Sequence, residues 1–334
     1  MRRALRTCFI RLPEVFARGA HLVVGFSGGQ DSTCLLHALA NAHRGLELLA
    51  VHVDHGLRPD SAEAAVQAVD LASRIGVAGE IVRVEVEGGG SLEDAARIAR
   101  YSALRAAAER HAATAIVVAH TADDQAETVL LNLLRGTALL GLAGMRMEEA
   151  RSGETLVRPL LRVPRATTRA YCTHFGLTLV EDATNQSRAF TRNRVRLDLL
   201  PQLERFNPAI RELLARTAEL AGDDLAVVDA LARRLLGTLR DGDGYDLRGF
   251  RLQPRALQRR VLRLALDGFG YGLRDVADSP IEDALNLLQT GQPNQTYRLP
   301  NGVEVSIRQQ AFVLRKNGSA QQPVNTWDLE VPRV

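Results

Sequence analysis

Leu22-Val23-Val24-Gly25-Phe26-Ser27-Gly28-Gly29-Gln30-Asp31-Ser32 passes from an apolar run through a glycine turn into an amphipathic segment that continues to about Ala42. The run Leu22 to Phe26 reads as a buried strand, and the segment after Ser32 as a helix. Between them, two glycines let the backbone turn tightly and bring bare N–H groups toward an anion. Ser27 and Ser32 add hydroxyl donors, and the helix N-terminus adds partial positive charge. Together these features make a phosphate cradle. It lacks the lysine of G-x-x-x-x-G-K-[ST], so Asp31 makes best chemical sense if a divalent metal links it to the phosphates. The bland alternative is a glycine turn capped by serine, which the six residues Ser27 to Ser32 in a strand-turn-helix context outweigh.

Outward from this unit the same alternation recurs, which predicts a parallel twisted sheet flanked by helices, an α/β fold. Leu48 to Val53 is the next strand, followed by a helix capped by Asp60 and stopped at Gly76. Glu80 to Val86 is a third strand; after the glycine run 88–90, Ser91 and Asp94 resemble a capping box for a helix ending near Arg110. Ile116 to Ala119 is a fourth strand, and Asp123 or Asp124 opens a helix that ends near Gly136. Thr137 to Pro164 reads as irregular, a mobile segment over a site. Arg165 to Gly176 is helical, Leu177 to Val180 a short strand, and Arg192 to Leu200 a helix that Pro201 ends. Long helices follow from Pro208 to Arg240. After the 241–244 break come two helices near 254–268 and 279–289, then strands near 295–299, 303–307 and 311–315, with a turn at Asn301-Gly302 and a polar tail from Asn317. The expected division is 1–216 as the nucleotide-binding catalytic domain and 217–334 as a helical linker with a small C-terminal α+β domain.

The 334 residues are 46% apolar, ordinary for a globular chain with proper cores. No stretch approaches the roughly 20 apolar residues of a membrane span, so a cytoplasmic protein with no membrane partner is expected. Cys8, Cys34 and Cys172 are odd in number and far apart, which excludes a disulfide framework and any C-x-x-C site. Net charge is +3 but unevenly spread: −3 over residues 1–150, +6 over 151–216 and 0 over 217–334. The basic middle segment is a candidate for nucleic acid, with solvated surface as its plain alternative. Nearly all basic residues are arginine, whose planar fork suits phosphates and guanine edges; Lys316 is the one lysine.

Asp54, His55 and His120 fall where parallel strands end, the edge at which open α/β sheets collect ligands. Packing or a backbone hydrogen bond would explain either histidine equally well. Asp124 and Glu127, three apart at a helix start, project from one face and could hold a metal or an ammonium group. Arg192, Asn193 and Arg194 lie in the basic segment.

The turn Ser27 to Ser32 resembles the S-G-G-x-D-S loop of the PP-loop ATP pyrophosphatases, the adenine nucleotide alpha hydrolase-like fold. Val53-Asp54-His55-Gly56-Leu57-Arg58, Ala95 to Tyr101, Ala119 to Thr128, Gly141 to Met145, Arg158-Pro159-Leu160-Leu161, Glu181 to Asn185 and Arg192-Asn193-Arg194 are similar, in order and spacing, to the tRNA(Ile)-lysidine synthase family, over most of residues 22–202. The resemblance implies ATP and Mg²⁺ as cofactors, and tRNA(Ile) with a CAU anticodon and free L-lysine as partners; a homodimer is left open. It further implies that Ser27, Gly28, Gly29, Gln30, Asp31 and Ser32 bind the nucleotide, that Asp31 meets the metal, and that Asp31, Asp124, Glu127 and Arg194 are catalytic. Thr121, where relatives commonly have a second histidine, and Ala138, where a glycine is usual, depart from the pattern and receive no role. The short C-terminal part implies one accessory tRNA-binding domain. Other PP-loop enzymes are the nearest alternatives: a cysteine-cluster tRNA thiolase lacks its C-x-x-C pairs here, and an amidotransferase lacks its glutaminase. A nucleotide sensor or tRNA-binding module without turnover is the alternative from another class.

Overall fold

The computed structural model describes all residues except 43, 58, 87–91, 152–153, 181–187, 189, 269–277, 301 and 317–334. Arg58, the glycine run 88–90, the Ser91 cap, the block 181–185, Asn301 and the tail therefore lie outside the described residues. The chain divides into two compact units, Met1–Gly222 and Asp223–Val334. None of the described helices is long and apolar enough to cross a membrane.

In the first unit, α1 (Arg2–Arg11) precedes β1 (His21–Gly25), α2 (Gln30–Ala40), β2 (Glu47–Asp54), α3 (Ser61–Ile75), β3 (Ala78–Arg83), α4 (Leu92–Arg110), β4 (Ala115–Val117) and α5 (Ala122–Leu134). Then come α6 (Leu139–Leu142), β5 (Glu148–Arg151), β6 (Glu154–Val157) and α7 (Arg165–His174). The sheet order is β3-β2-β1-β4-β6-β5, with β5 alone antiparallel to its neighbour. Alternate residues of the strands feed two cores. Leu22, Val24, Ala50 and Val117 pack with Leu35, Leu36 and Leu39 of α2 and Leu71 of α3, whereas Val23, Val51 and Ile116 pack with Leu104 and Ala107 of α4. The expected parallel sheet covered on both faces is what forms. After β1 the chain builds β2 and β3 on one side, then crosses to β4 on the other, so β1 ends at a topological switch point.

At several places the local structure differs from what the sequence predicts. The segment 137–164 is not irregular: it holds α6 and the β5–β6 hairpin, which extends the sheet beside β4 with Ile116 and Val117 registered against Leu156 and Val157. Leu177 to Val180 adds no strand; Val180 donates one backbone bond to Gly28 O at 3.0 Å. Asp60 stands at the N-cap of α3 without a side-chain cap bond, although Gly76 does close that helix at φ +86°. Helix α5 is opened by Thr121, whose hydroxyl and the Asp124 carboxylate form a reciprocal capping box. Pro201 does not end its helix. Helix α8 (Thr191–Arg194) leads into a π-helical turn, Val195–Leu199, and then into α9 (Leu200–Phe206), with the proline in the first turn of α9 where its missing N–H costs least. Val195 and Leu200 pack on Leu130 of α5.

The unit boundary falls inside α10 (Ile210–Leu239). Within the second unit, β7 (Arg240–Asp241), β8 (Gly244–Asp246), α11 (Leu247–Arg251), α12 (Arg255–Asp267), α13 (Asp278–Thr290), β9 (Thr296–Arg298), β10 (Val303–Arg308) and β11 (Ala311–Lys316) form an antiparallel sheet, order β7-β8-β11-β10-β9, under three helices. Its core gathers Val261, Leu262, Ile281, Leu285, Val305 and Phe312, with Tyr245 stacked on Phe312 at 5.1 Å. Asp229 and Arg260 form a buried bidentate ion pair within this unit.

Candidate active site

The turn after β1 holds itself open with its own side chains. Gly28 has φ +75°, where side-chain-bearing residues are strained, and a Cβ there would lie 2.7 Å from Val180 Cγ2. Ser27 Oγ lies 3.1 Å from Ser32 Oγ and accepts from Gly29 N at 3.3 Å; Ser32 Oγ lies 3.0 Å from Gly29 O. Thr33 Oγ1 donates to Gly28 O at 3.0 Å. Gly29 caps α2 in an extended conformation with no side-chain bond, which leaves the first amides of the helix facing the turn.

Gln30 and Asp31 turn toward α7. Gln30 Nε2 donates to Thr168 Oγ1 at 2.7 Å and to Arg165 O at 2.9 Å. Asp31 Oδ1 accepts from Thr168 Oγ1 at 2.5 Å, and Asp31 Oδ2 from Arg165 Nε at 3.1 Å. Burial raises the Asp31 carboxyl above its usual range, more than Arg165 and Thr168 lower it.

Arg165 reaches onward to the two acids of α5. Its Nη2 donates to Asp124 Oδ1 at 2.8 Å, and its Nη1 lies 3.7 Å from Glu127 Oε1. Arg196 and Arg192 complete the cluster: Arg196 Nε and Nη2 donate to Glu127 at 2.6 and 3.0 Å, and Arg192 Nε donates to Glu127 Oε2 at 3.0 Å. Glu127 is fully buried. Asp124 Oδ2 accepts from the amide and hydroxyl of Thr121, both at 2.8 Å. Burial alone would raise the Asp124 carboxyl; the Arg165 and Arg192 guanidiniums outweigh it and hold it far below the carboxylate range.

Asp31, Asp124 and Glu127 are thus brought together, and Arg194 stands apart from them. Its side chain is exposed and donates to Thr191 Oγ1 at 3.2 Å. Residues four apart share a helix face and residues two apart do not, so Arg192 and Arg196 point to the acids together. Arg196, Arg165 and Thr168 escaped sequence reasoning. One signal was available for Arg165: a cation at the first position of a helix opposes the helix dipole unless an anion is near.

The two histidines occupy the strand-end edge. His120 is held neutral, its pKa lowered to about 3 by burial, with the Asp124 charge opposing and Arg158, Arg100 and Arg192 reinforcing. The Nδ1 atoms of His120 and His55 are buried without a hydrogen-bond partner among the described residues. Burial and Arg100 likewise lower the His55 pKa.

Asp54 does structural work. Its Oδ1 accepts from Gly56 N at 2.9 Å and its Oδ2 from Arg83 Nε at 3.2 Å. Burial opposes the charge, but the bonds from Gly56, Ser61 and Arg83 prevail and lower the pKa from 3.8. The unfolded chain therefore binds more protons below pH 3.8, so Asp54 stabilises the fold above that pH and its contribution is lost as the pH falls through the folded value. Asp54→Asn should melt lower at neutral pH, by about 1 kcal/mol of stability, and show a shallower loss of melting temperature on acidification below pH 4 than the parent. An unchanged acid limb would show that Asp54 contributes nothing to it.

All three cysteines are buried, and Cys172 Sγ donates to Gln30 O at 3.4 Å.

A family model described as a PP-loop domain matches residues 6–203. A tRNA(Ile)-lysidine synthase of Leifsonia xyli subsp. xyli is 44% identical over 254 residues, covering 73% of this chain and 75% of that protein. Another, of Thermosynechococcus vestitus, is 38% identical over 292 residues, covering 86% of this chain and 84% of its own. Among solved structures, the U34-tRNA thiolase NcsA of Methanococcus maripaludis with its [4Fe-4S] cluster matches with a TM-score of 0.55 at 18% identity, over 66% of this chain and 78% of that one, a likeness of fold.

Proposed function

Because the chain belongs to the PP-loop family, among the tRNA(Ile)-lysidine synthases, and is an ATP-using ligase, we propose that it joins lysine to the first anticodon cytidine of tRNA(Ile) with a CAU anticodon. The cytosine C2 oxygen attacks the α phosphorus of ATP, and pyrophosphate leaves. The ε-amine of lysine then attacks C2, loses a proton, and AMP departs with the oxygen. A C2 carbonyl oxygen cannot leave unaided, whereas an adenylate leaves as a stabilised phosphate anion, so aligning ATP with the base lowers the barrier of the second step. The modified base would read AUA in place of AUG.

Residues Ser27 to Ser32 grip the triphosphate through amides and hydroxyls. Asp31 suits Mg²⁺ as one carboxylate among phosphate and water oxygens, the usual manner of binding for that ion. Among the described residues no group of three or more His, Cys, Asp or Glu side chains could cage a metal. Bound there, Mg²⁺ would neutralise phosphate charge. Asp124 and Glu127 orient the lysine ammonium or share the metal, and Arg194, at the exposed rim, meets the α phosphate or the target base. The base leaves its stack to reach them, which a single-stranded anticodon loop allows. Residues 217–334 supply the further tRNA contact.

The observation that supports this reading most is the joining of Asp31 to Asp124 and Glu127 through Arg165, directly beside the turn. Incubating unmodified tRNA with ATP and labelled lysine should place label in the first anticodon nucleotide, with one pyrophosphate released per label. Formation of ADP and orthophosphate, or a tRNA product that does not depend on lysine, would overturn it.

A further inference from the structure

The acidic cluster is already balanced in charge. Asp31, Asp124 and Glu127 carry three negative charges, and Arg165, Arg192 and Arg196 carry three positive ones. Each of the six carboxylate oxygens already accepts a hydrogen bond: Thr168 and Arg165 serve Asp31, Thr121 and Arg165 serve Asp124, and Arg192 and Arg196 serve Glu127. A metal or an ammonium group brought to this neutral, partly buried cluster must replace a charge already there, because an added cation would be desolvated without compensation.

The geometry identifies which charge can leave. Arg192 and Arg196 bind Asp124 and Glu127; Arg165 alone, among the described residues, pairs with Asp31. Its main chain is tethered at both ends of the residue: its N–H donates to Asp123 Oδ2 at 2.7 Å, and its carbonyl accepts from Gln30 Nε2 at 2.9 Å. The guanidinium can therefore swing away by side-chain torsions while α7 stays in place. Its side chain is 27% exposed, much as Arg192 and Arg196 are at 25% and 21%, so it has an open side to swing toward, and its sole claim on Asp31 is what sets it apart.

We propose that Arg165 is a resident counter-ion that occupies Asp31 until a divalent cation arriving with the nucleoside triphosphate takes its place, and that the released guanidinium then pairs with the triphosphate. The inference rests on the reading of Asp31 as the metal-linked carboxylate. It makes Arg165 a positioning residue with two opposed effects. Without nucleotide it competes with the metal, and with nucleotide it contributes to binding.

The test uses the full chain and Mn²⁺ alone as probe, with free Mn²⁺ followed by electron paramagnetic resonance. Arg165→Met should bind Mn²⁺ about tenfold more tightly than the parent, the factor expected when one charge-assisted bond no longer competes. The same variant should bind ATP more weakly with Mg²⁺ saturating, a reversal of sign that a merely structural role would not produce. Arg165→Gln, which keeps length and hydrogen bonding without charge, provides the same readings if the methionine variant does not fold. Asp31→Asn in either background should abolish the gain. Equal Mn²⁺ affinity in parent and Arg165→Met, with Asp31→Asn still reducing both, would overturn the counter-ion role and leave Asp31 as a metal residue. Mn²⁺ binding that ignores Asp31→Asn everywhere would overturn both.

Discussion

Asp31→Ala should release no pyrophosphate above background in the presence of tRNA and lysine, a loss of about 10³-fold or more, and should still melt cooperatively near the parent temperature. The loss is large because Asp31 sits at the N-terminal turn of α2, between the amides that would hold phosphate and the acids of α5. Asp124 and Glu127 stand on α5 and not in the glycine turn, so neither takes its place there. The fold should tolerate the change because burial penalises the Asp31 charge more than Arg165 and Thr168 favour it, and Arg165 retains Asp124 as a partner. Turnover by the variant within tenfold of the parent would remove Asp31 from the site. Loss of folding would show instead that its bonds to Thr168 and Arg165 carry stability.

Glu127→Ala should cost stability first. The carboxylate is fully buried and both oxygens accept from guanidiniums, so its removal leaves Arg192 and Arg196 facing one another with Asp124 as the remaining anion beside them. Breaking a buried pair by deleting one partner typically costs about 3–5 kcal/mol. For a unit of this size that corresponds to roughly 10 °C in melting temperature. A second change, Arg192→Ala in the same chain, should recover part of the loss by removing an uncompensated cation, and the double-mutant cycle measures how much. If Glu127→Ala melts with the parent and the second change makes matters worse, the acid is not the anchor of the two arginines.

The centre of this fold was legible because its signals are local. The apolar run ending at Phe26, the two glycines and the helix beyond them lie within one stretch of chain, and their order names strand, turn and helix without help from elsewhere. Asp124 and Glu127 were legible for the same reason, three apart at a helix start. Arg165 was not: its partners Asp31 and Asp124 are 134 and 41 residues away, and no periodicity within Arg165 to Gly176 points to either. The β5–β6 hairpin was missed because its strands are four residues each and rich in charge, Glu-Glu-Ala-Arg and Glu-Thr-Leu-Val, with only Leu156 and Val157 as an apolar signal. Pro201 misled because the usual rule that proline stops a helix ignores the wider π-helical turn ahead of it.

That wider turn has a bearing on how this enzyme tolerates insertions and deletions. Residues Val195 to Leu199 carry one more residue per turn than an ordinary helix, and they lie between the aspect of the rod that presents Arg192 and the aspect that seats Leu200 on Leu130. Losing a single residue there would close the wider turn into an ordinary helical one and keep the two aspects nearly in phase, whereas losing two would rotate one against the other by roughly 100° and swing the guanidiniums off the acids. Length in this stretch is thus as much a determinant of the acid–arginine cluster as composition.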